Sequence, residues 1–169
     1  AVIISQSDYA MEDEEYREKA LGKINKEARR MSALVNRLLT LSRSDSGRLV
    51  LEKDRVDLSE VCEMVAEQQA IVAQDKNISI ETDIAEDITI TGDEAMIMRI
   101  LLNLMDNAVK YGREDGKVTL SLAEENGYAV CSVEDDGIGI SEEDLDKIWE
   151  RFYRVEASRS EEGAGLGLA

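Results

Sequence analysis

The stretch NLMDNAVKY occupies residues 103–111 and completes a helix that the sequence predicts over residues 93–111. At about 3.6 residues per turn, four of its polar side chains fall within an arc of roughly 100°. They are Asn103, Asn107, Lys110 and Tyr111. The apolar positions occupy the opposite arc, so one side can pack on a sheet while the other faces a ligand. Asparagine is a poor helix former, which favours a functional use of these amides, although a plain amphipathic helix gives the same pattern.

The segments around this helix predict an α+β fold. Alternating side chains and short runs between turn residues predict strands at residues 49–53, 78–84, 88–90, 118–122 and 128–135. Helical spacing follows a cap at Asp57 or Ser59, and a further helix is predicted from Ser141 to about Trp149. We therefore expect a two-layer α/β sandwich, in which a mixed sheet is covered by helices on one face.

The first part of the chain predicts a helical hairpin of a bundle. Residues 12–43 are strong helix formers, and apolar side chains recur at steps of three and four. They are Leu21, Ile24, Ala28, Met31, Val35 and Leu38. Residues 1–11 fit the end of an antiparallel neighbour, and residues 42–47 are turn formers typical of a linker. These features predict a helical segment at 1–45 and a second domain at 46–169.

Composition excludes several classes of function. Lysine and arginine number 20 and aspartate and glutamate 37, so the net charge is 20 − 37 = −17 and general nucleic-acid binding is not expected. The chain has no histidine, which excludes histidine bases, ligands and phosphoacceptors within it. Cys62 and Cys131 fit reduced core residues. No apolar run approaches the roughly 20 residues of a membrane span, and we expect a cytoplasmic location for this piece.

Asp135 ends a predicted apolar row on one side of the strand at 128–135. A carboxylate there needs a partner, and it suits a donor such as the exocyclic amino group of adenine. Gly137 and Gly139 follow directly and allow a backbone to approach a ligand closely. A tight Asp-Gly turn without a ligand is the alternative.

A second glycine cluster closes the sequence. Gly163, Gly165 and Gly167 resemble a turn that cradles phosphate, and residues 158–162 fit a mobile lid over a nucleotide. A disordered tail gives the same composition. Neither glycine cluster has the spacing of a P-loop or of a dinucleotide-binding fingerprint.

In this order, the four segments resemble the boxes of the histidine-kinase branch of an ATPase superfamily. That superfamily also includes heat-shock chaperones, mismatch-repair ATPases and type II topoisomerases. Residues 103–111 resemble the asparagine box, 135–140 the first glycine box, 149–154 the phenylalanine box and 163–168 the second glycine box. Residues 28–41 and 44–47 resemble the second dimerisation helix and its exit.

The resemblance implies ATP and Mg²⁺ as cofactors and assigns roles to individual residues. Asn107 would ligate Mg²⁺, Asp135 would bind the adenine amino group, Tyr111 would lie against the base, and Lys110 and Arg154 would meet phosphates. The remaining expected ATP-binding residues are Asn103, Gly137, Gly139, Ile140, Gly163, Gly165, Leu166, Gly167 and Leu168. Arg113, Arg151 and Arg159 are additional cations that fit surface residues better. We expect Trp149 and Phe152 to be core residues.

The resemblance also implies a larger protein and its partners. The family's phosphoacceptor histidine precedes a segment like residues 1–4, and further strands follow the second glycine box, so we expect truncation at both ends. No catalytic residue is then expected in this chain. The parent kinase would transfer the γ-phosphate to a bundle histidine and then to a response-regulator receiver domain. We expect a homodimer through the N-terminal helices and a membrane-anchored parent with this part in the cytoplasm.

Two alternatives stay open at this point. One is a degenerate nucleotide-sensing or dimerisation module without phosphoryl transfer. The other is a chaperone-like or mismatch-repair ATPase, which would lack the heptad helix at residues 21–38.

Overall fold

The computed structural model describes residues 2–12, 16–155, 165, 166 and 168. The helices are α1 (Val2–Glu12), α2 (Arg17–Asp45), α3 (Leu58–Ala73), α4 (Glu94–Tyr111) and α5 (Glu142–Leu145), with a short 3-10 helix at Gln74–Lys76. The strands are β1 (Asp54–Asp57), β2 (Ser79–Ile84), β3 (Thr89–Gly92), β4 (Lys117–Glu125) and β5 (Tyr128–Asp135). The chain divides into two compact units, residues 1–50 and 51–169.

The first unit pairs α1 with the beginning of α2. The rings of Tyr9 and Tyr16 meet edge to face at 6.0 Å between centroids, and Arg17 Nε donates to the Ala10 carbonyl at 3.2 Å. Ala10 and Ala20 are buried where the helices meet. Among the described helices of the chain, none combines the length and the apolar character that a bilayer crossing requires.

The second unit contains a mixed sheet of three strands in the order β2-β4-β5. β2 runs parallel to β4, and β4 runs antiparallel to β5. The β4–β5 turn places Asn126 and Gly127 at φ values of 54° and 81°, the left-handed conformation that a tight hairpin turn requires. β1 and β3 form a separate antiparallel pair.

α3 and α4 pack against this sheet, because each presents an apolar stripe to it. Met105, Cys62 and Leu120 are each 0% exposed and lie in one hydrophobic cluster with Leu101 and Val118. Asp57 caps α3 by accepting the Glu60 N–H at 3.0 Å. Asp93 caps α4 in the same way. The structure confirms the α+β class and the mixed sheet.

Two predicted elements were wrong. The strand expected at 49–53 lies instead at Asp54–Asp57, because Val56, which is 1% exposed, pairs with Ile90 and enters the core. The helix expected to reach Trp149 ends at Leu145, and hydrogen-bonded turns continue to about residue 152. The Asp144 carboxylate accepts hydrogen bonds from Ser141 and from Tyr153, which lies beyond those turns.

Candidate functional site

The end of α4 lies against the loop that follows β5. The Ile138 N–H donates to the Tyr111 carbonyl at 3.2 Å. Gly137 packs so closely against the end of α4 that a Cβ atom built on it would lie 2.4 Å from the Tyr111 carbonyl oxygen. The Gly137 N–H also donates to Asp135 Oδ1 at 2.9 Å. Asp135 is therefore held near the last turn of α4 by contacts that only a residue without a side chain permits.

The polar face of α4 borders this contact. Asn103, Asn107, Lys110 and Tyr111 are all half-buried, while Met105 on the other side of the helix is fully buried. Lys110 Nζ lies 3.1 Å from the Tyr111 hydroxyl oxygen and 4.8 Å from the centroid of its ring. An ammonium at this distance from an aromatic face is attracted to it. One face thus combines amides, a cation and an aromatic ring.

Lys76 supports the end of α4, and sequence reasoning missed it. Its Nζ donates to the Lys110 carbonyl at 2.5 Å. That carbonyl is in the last turn of α4, where helix carbonyls lack intrahelical partners and attract cations. The sequence carries no local signal for this contact, because the two residues are 34 positions apart.

Gln69 makes a second contact that sequence reasoning missed. It is 2% exposed on α3, and its Nε2 donates to Asp106 Oδ1 at 2.7 Å. Asp106 immediately precedes Asn107, so this bond ties the asparagine-bearing turn of α4 to α3. A signal was present in the sequence. Positions three or four residues away from Gln69 share its side of the helix, and they are the apolar residues Val65, Ala66 and Ala73. This spacing places Gln69 on the apolar face of α3.

Asp135 differs from the sequence expectation in its burial. Ala129, Cys131 and Val133 are half-buried against the core, but Asp135 is exposed. The reason is that β5 ends here and the chain turns at Gly137 towards Tyr111. The carboxylate is therefore open to solvent. Asp136 fastens the end of β5 to β4, because its Oδ1 accepts the Lys117 N–H at 3.0 Å.

The other predicted site residues are only partly described. Gly139 has a left-handed φ of 70°, and Ile140 is 47% exposed. Leu166 is buried and Leu168 is half-buried. Gly163, Gly167 and the expected lid at residues 158–162, with Arg159 among them, lie outside the described residues.

Gly165 contacts the segment that resembles the phenylalanine box. It has a φ of 65°, and its carbonyl accepts the Phe152 N–H at 2.7 Å. Trp149 and Phe152 are each 61% exposed, so the prediction that they are core residues was wrong. The early end of α5 is the reason, because no helix carries these side chains inward. Tyr153 is the half-buried aromatic residue of this segment, and Arg154 is half-buried as well.

One carboxylate near this segment has a shifted pKa. Hydrogen bonds from Ser141, at 2.6 Å, and from Tyr153 hold the pKa of Asp144 below its usual range. Both bonds stabilise the charged form of the carboxylate.

The donors available for a metal ion are few. Within residues 2–12, 16–155, 165, 166 and 168, no group of three or more aspartate, glutamate, cysteine or histidine side chains could hold a metal ion. Asn107 offers a carboxamide oxygen from a half-buried position on α4. Such a site fits a hard ion that brings most of its ligands as water and phosphate oxygens, as Mg²⁺ does.

Comparison with known proteins identifies the domain. Residues 92–169 match the family model described as "Histidine kinase-, DNA gyrase B-, and HSP90-like ATPase". The chain is 34% identical over 155 residues to the adaptive-response sensory kinase SasA of Gloeothece citriformis, a match that covers 90% of this chain and 39% of that kinase. The chain therefore spans about two fifths of the length of this curated relative.

Solved structures give the same result. The mycobacterial sensor histidine kinase MprB is 30% identical with a TM-score of 0.61, over 69% of this chain and 74% of that one. Full-length ShkA in complex with AMPPNP is 31% identical with a TM-score of 0.76, over 91% of this chain and 32% of that one. Histidine kinase ThkA in complex with the response regulator TrrA is 26% identical with a TM-score of 0.70, over 90% of this chain and 47% of that one.

These matches favour the kinase over a degenerate module and over a chaperone-like ATPase, because the relatives are named histidine kinases and extend over both units. The chain belongs to the sensor histidine kinase family, and its second unit carries the ATP-binding catalytic domain of that family.

Proposed function

We propose that residues 46–169 bind Mg·ATP in a cleft between the polar face of α4 and the loop after β5. The observation that carries this proposal is the contact between Tyr111 and Gly137, which keeps Asp135 beside the last turn of α4. Residues 1–45 would supply the dimerisation helices.

Asp135 binds the exocyclic amino group of adenine in this proposal. One of its oxygens already accepts the Gly137 N–H, but a carboxylate offers about four lone-pair sites, so acceptor capacity remains for a base. The Tyr111 ring lies against the base. Gly137, Gly139 and Ile140 line the adenine side of the cleft, and Asn103 contributes an amide from the preceding turn of α4.

Asn107 ligates Mg²⁺ through its carboxamide oxygen, one turn before Tyr111. Phosphate oxygens and water would complete the coordination, because in the described part of the chain no group of three or more acidic, cysteine or histidine side chains could hold a metal ion. When bound, Mg²⁺ would neutralise part of the negative charge on the phosphates of the nucleotide.

Lys110 and Arg154 bind the phosphates. The net charge of −17 repels a polyanion at long range, so ATP needs local cations such as these. Gly163, Gly165 and Gly167 bring backbone N–H groups to the phosphates, and Leu166 and Leu168 anchor that turn. The same net charge is the reason that we propose no nucleic-acid partner.

The whole protein acts as a protein histidine kinase in this proposal. It transfers the γ-phosphate of ATP to a histidine of the dimerisation bundle. This chain contains no histidine, so the acceptor belongs to another part of the parent protein. The phosphoryl group then passes to an aspartate of a response-regulator receiver domain, a partner class that the ThkA complex supports.

Dimerisation is proposed to use α2. Its heptad residues present a large apolar surface to solvent in a single chain, which is costly unless another helix covers it. Four of these heptad side chains are 39–55% exposed: Leu21, Met31, Val35 and Leu38. We also propose that this part of the kinase lies in the cytoplasm and that the parent is anchored in the cell membrane.

The adenine contact is tested with Asp135→Asn, measured by calorimetric titration of Mg·ATP. Hydrogen bonds to charged groups contribute about 1.5–3 kcal/mol, so we expect Kd to rise roughly 10-fold to 150-fold. Glu134→Gln is the matched control, because it removes the same charge from the neighbouring exposed residue of β5 and is expected to leave Kd unchanged. An Asp135→Asn variant with unaltered affinity removes Asp135 from the site.

Phosphoryl transfer is tested in the full-length parent with Mg·ATP labelled on the γ-phosphate. An acid-labile phosphoprotein is expected. A folded parent that binds the nucleotide but takes up no label would instead support the degenerate module.

A further inference from the structure

The two cysteines of the chain meet in the core of the second unit. Cys62 lies on α3 and Cys131 on β5, and their Sγ atoms are 3.9 Å apart. Both are free thiols. The chain contains two cysteines in all, so an intramolecular disulfide has a single possible pairing. Because the two cysteines are 69 positions apart in sequence, sequence reasoning did not bring them together.

The two thiols differ in access and acidity. Cys62 is 0% exposed, whereas Cys131 is half-buried. Their shared hydrogen bond lowers the pKa of Cys131, and the same bond, together with burial, raises the pKa of Cys62. Either sulfur can donate this hydrogen bond. Cys131 is the more exposed of the two sulfurs, and the thiolate is the reactive form of a cysteine. A small oxidant is therefore expected to react with Cys131 first.

We propose that Cys62 and Cys131 are an oxidisable dithiol, which a peroxide converts into a disulfide that links α3 to β5. The Cys131 thiol loses its proton, and the thiolate attacks one peroxide oxygen. The O–O bond breaks, Cys131 becomes a sulfenic acid, and the hydroxide that leaves takes up the Cys131 proton as water. Cys62 then attacks the Cys131 sulfur, the S–O bond breaks, and the departing hydroxide takes the Cys62 proton to form water. Two thiols and one hydrogen peroxide thus give one disulfide and two waters.

The geometry suits this reaction better than metal binding. A disulfide has an S–S distance of about 2.0 Å, so the sulfurs must approach by roughly 2 Å from their separation of 3.9 Å. A structural zinc site needs about four ligands. No group of three or more such ligands is present in the described part of the chain.

The test uses the chain as it stands, treated with hydrogen peroxide under native conditions. The sample is then denatured and alkylated with N-ethylmaleimide, and its intact mass is measured. We expect the monomer to lose two hydrogen atoms and to take up no maleimide, with peptides around Cys62 and Cys131 found linked. The thermal midpoint should rise on the order of 10 °C, because the link closes a long loop in the unfolded chain, and dithiothreitol should reverse the rise.

Single-cysteine variants test the order of events. In Cys62→Ser, peroxide should leave a Cys131 sulfenic acid that dimedone traps. In Cys131→Ser, the buried Cys62 should stay unmodified while the protein is folded and react fully after denaturation. The wild-type mass decides the question even if a variant fails to fold. Two maleimides per chain after peroxide treatment, or disulfide-linked dimers in place of the internal link, would overturn the proposal.

Discussion

Gly137→Ala tests the contact on which the proposed nucleotide site depends. The added Cβ would lie 2.4 Å from the Tyr111 carbonyl oxygen and 2.6 Å from Asp135 Oδ1. Ordinary contacts of this kind exceed 3 Å, so either the loop after β5 or the last turn of α4 must move. Overpacking of this kind costs about 1–3 kcal/mol.

The cost should appear in nucleotide affinity. The variant relaxes by moving the loop away from α4, and ATP must restore the original arrangement in order to contact Asp135 and the α4 face together. We therefore expect Kd for Mg·ATP to rise roughly 5-fold to 150-fold by calorimetry, with the helix content unchanged by circular dichroism.

Gly22→Ala is the matched control, because nothing lies within 4 Å of a Cβ at that position of α2. It should leave Kd unchanged and slightly stabilise the helix. A Gly137→Ala protein that binds Mg·ATP within twofold of the parent would refute the reasoning that this close contact shapes the cleft.

Two further predictions concern local structure. Asp93→Ala removes the cap of α4 and should lower the free energy of unfolding by about 1 kcal/mol in urea titrations; an unchanged midpoint would show that the cap contributes nothing. The Asp144 carboxyl should titrate below the usual aspartate range in an NMR pH series, since Ser141 and Tyr153 donate to it. Its contribution to stability is then present above the unfolded-state pKa and lost as the pH falls through the folded-state pKa. Tyr153→Phe should raise this midpoint, and equal midpoints in the two proteins would contradict the assignment.

The sequence by itself determined the elements whose causes are local. The α4 stripe and the Asp57 cap of α3 depend on residues a few positions apart, so periodicity and capping rules predicted them correctly. Each of the four boxes is a short stretch of sequence, and their order along the chain predicted the family that the comparisons confirm.

Only the tertiary structure decided the features that join distant parts of the chain. Val56 enters the core because it pairs with Ile90 of β3. The first strand therefore lies at residues 54–57 and not at the more apolar segment 49–53. The Tyr111–Gly137 contact, the Gln69–Asp106 bond and the meeting of the two cysteines likewise arise when α3, α4 and the sheet pack together. Their energies come from packing and hydrogen bonding across the fold, which local propensity does not encode.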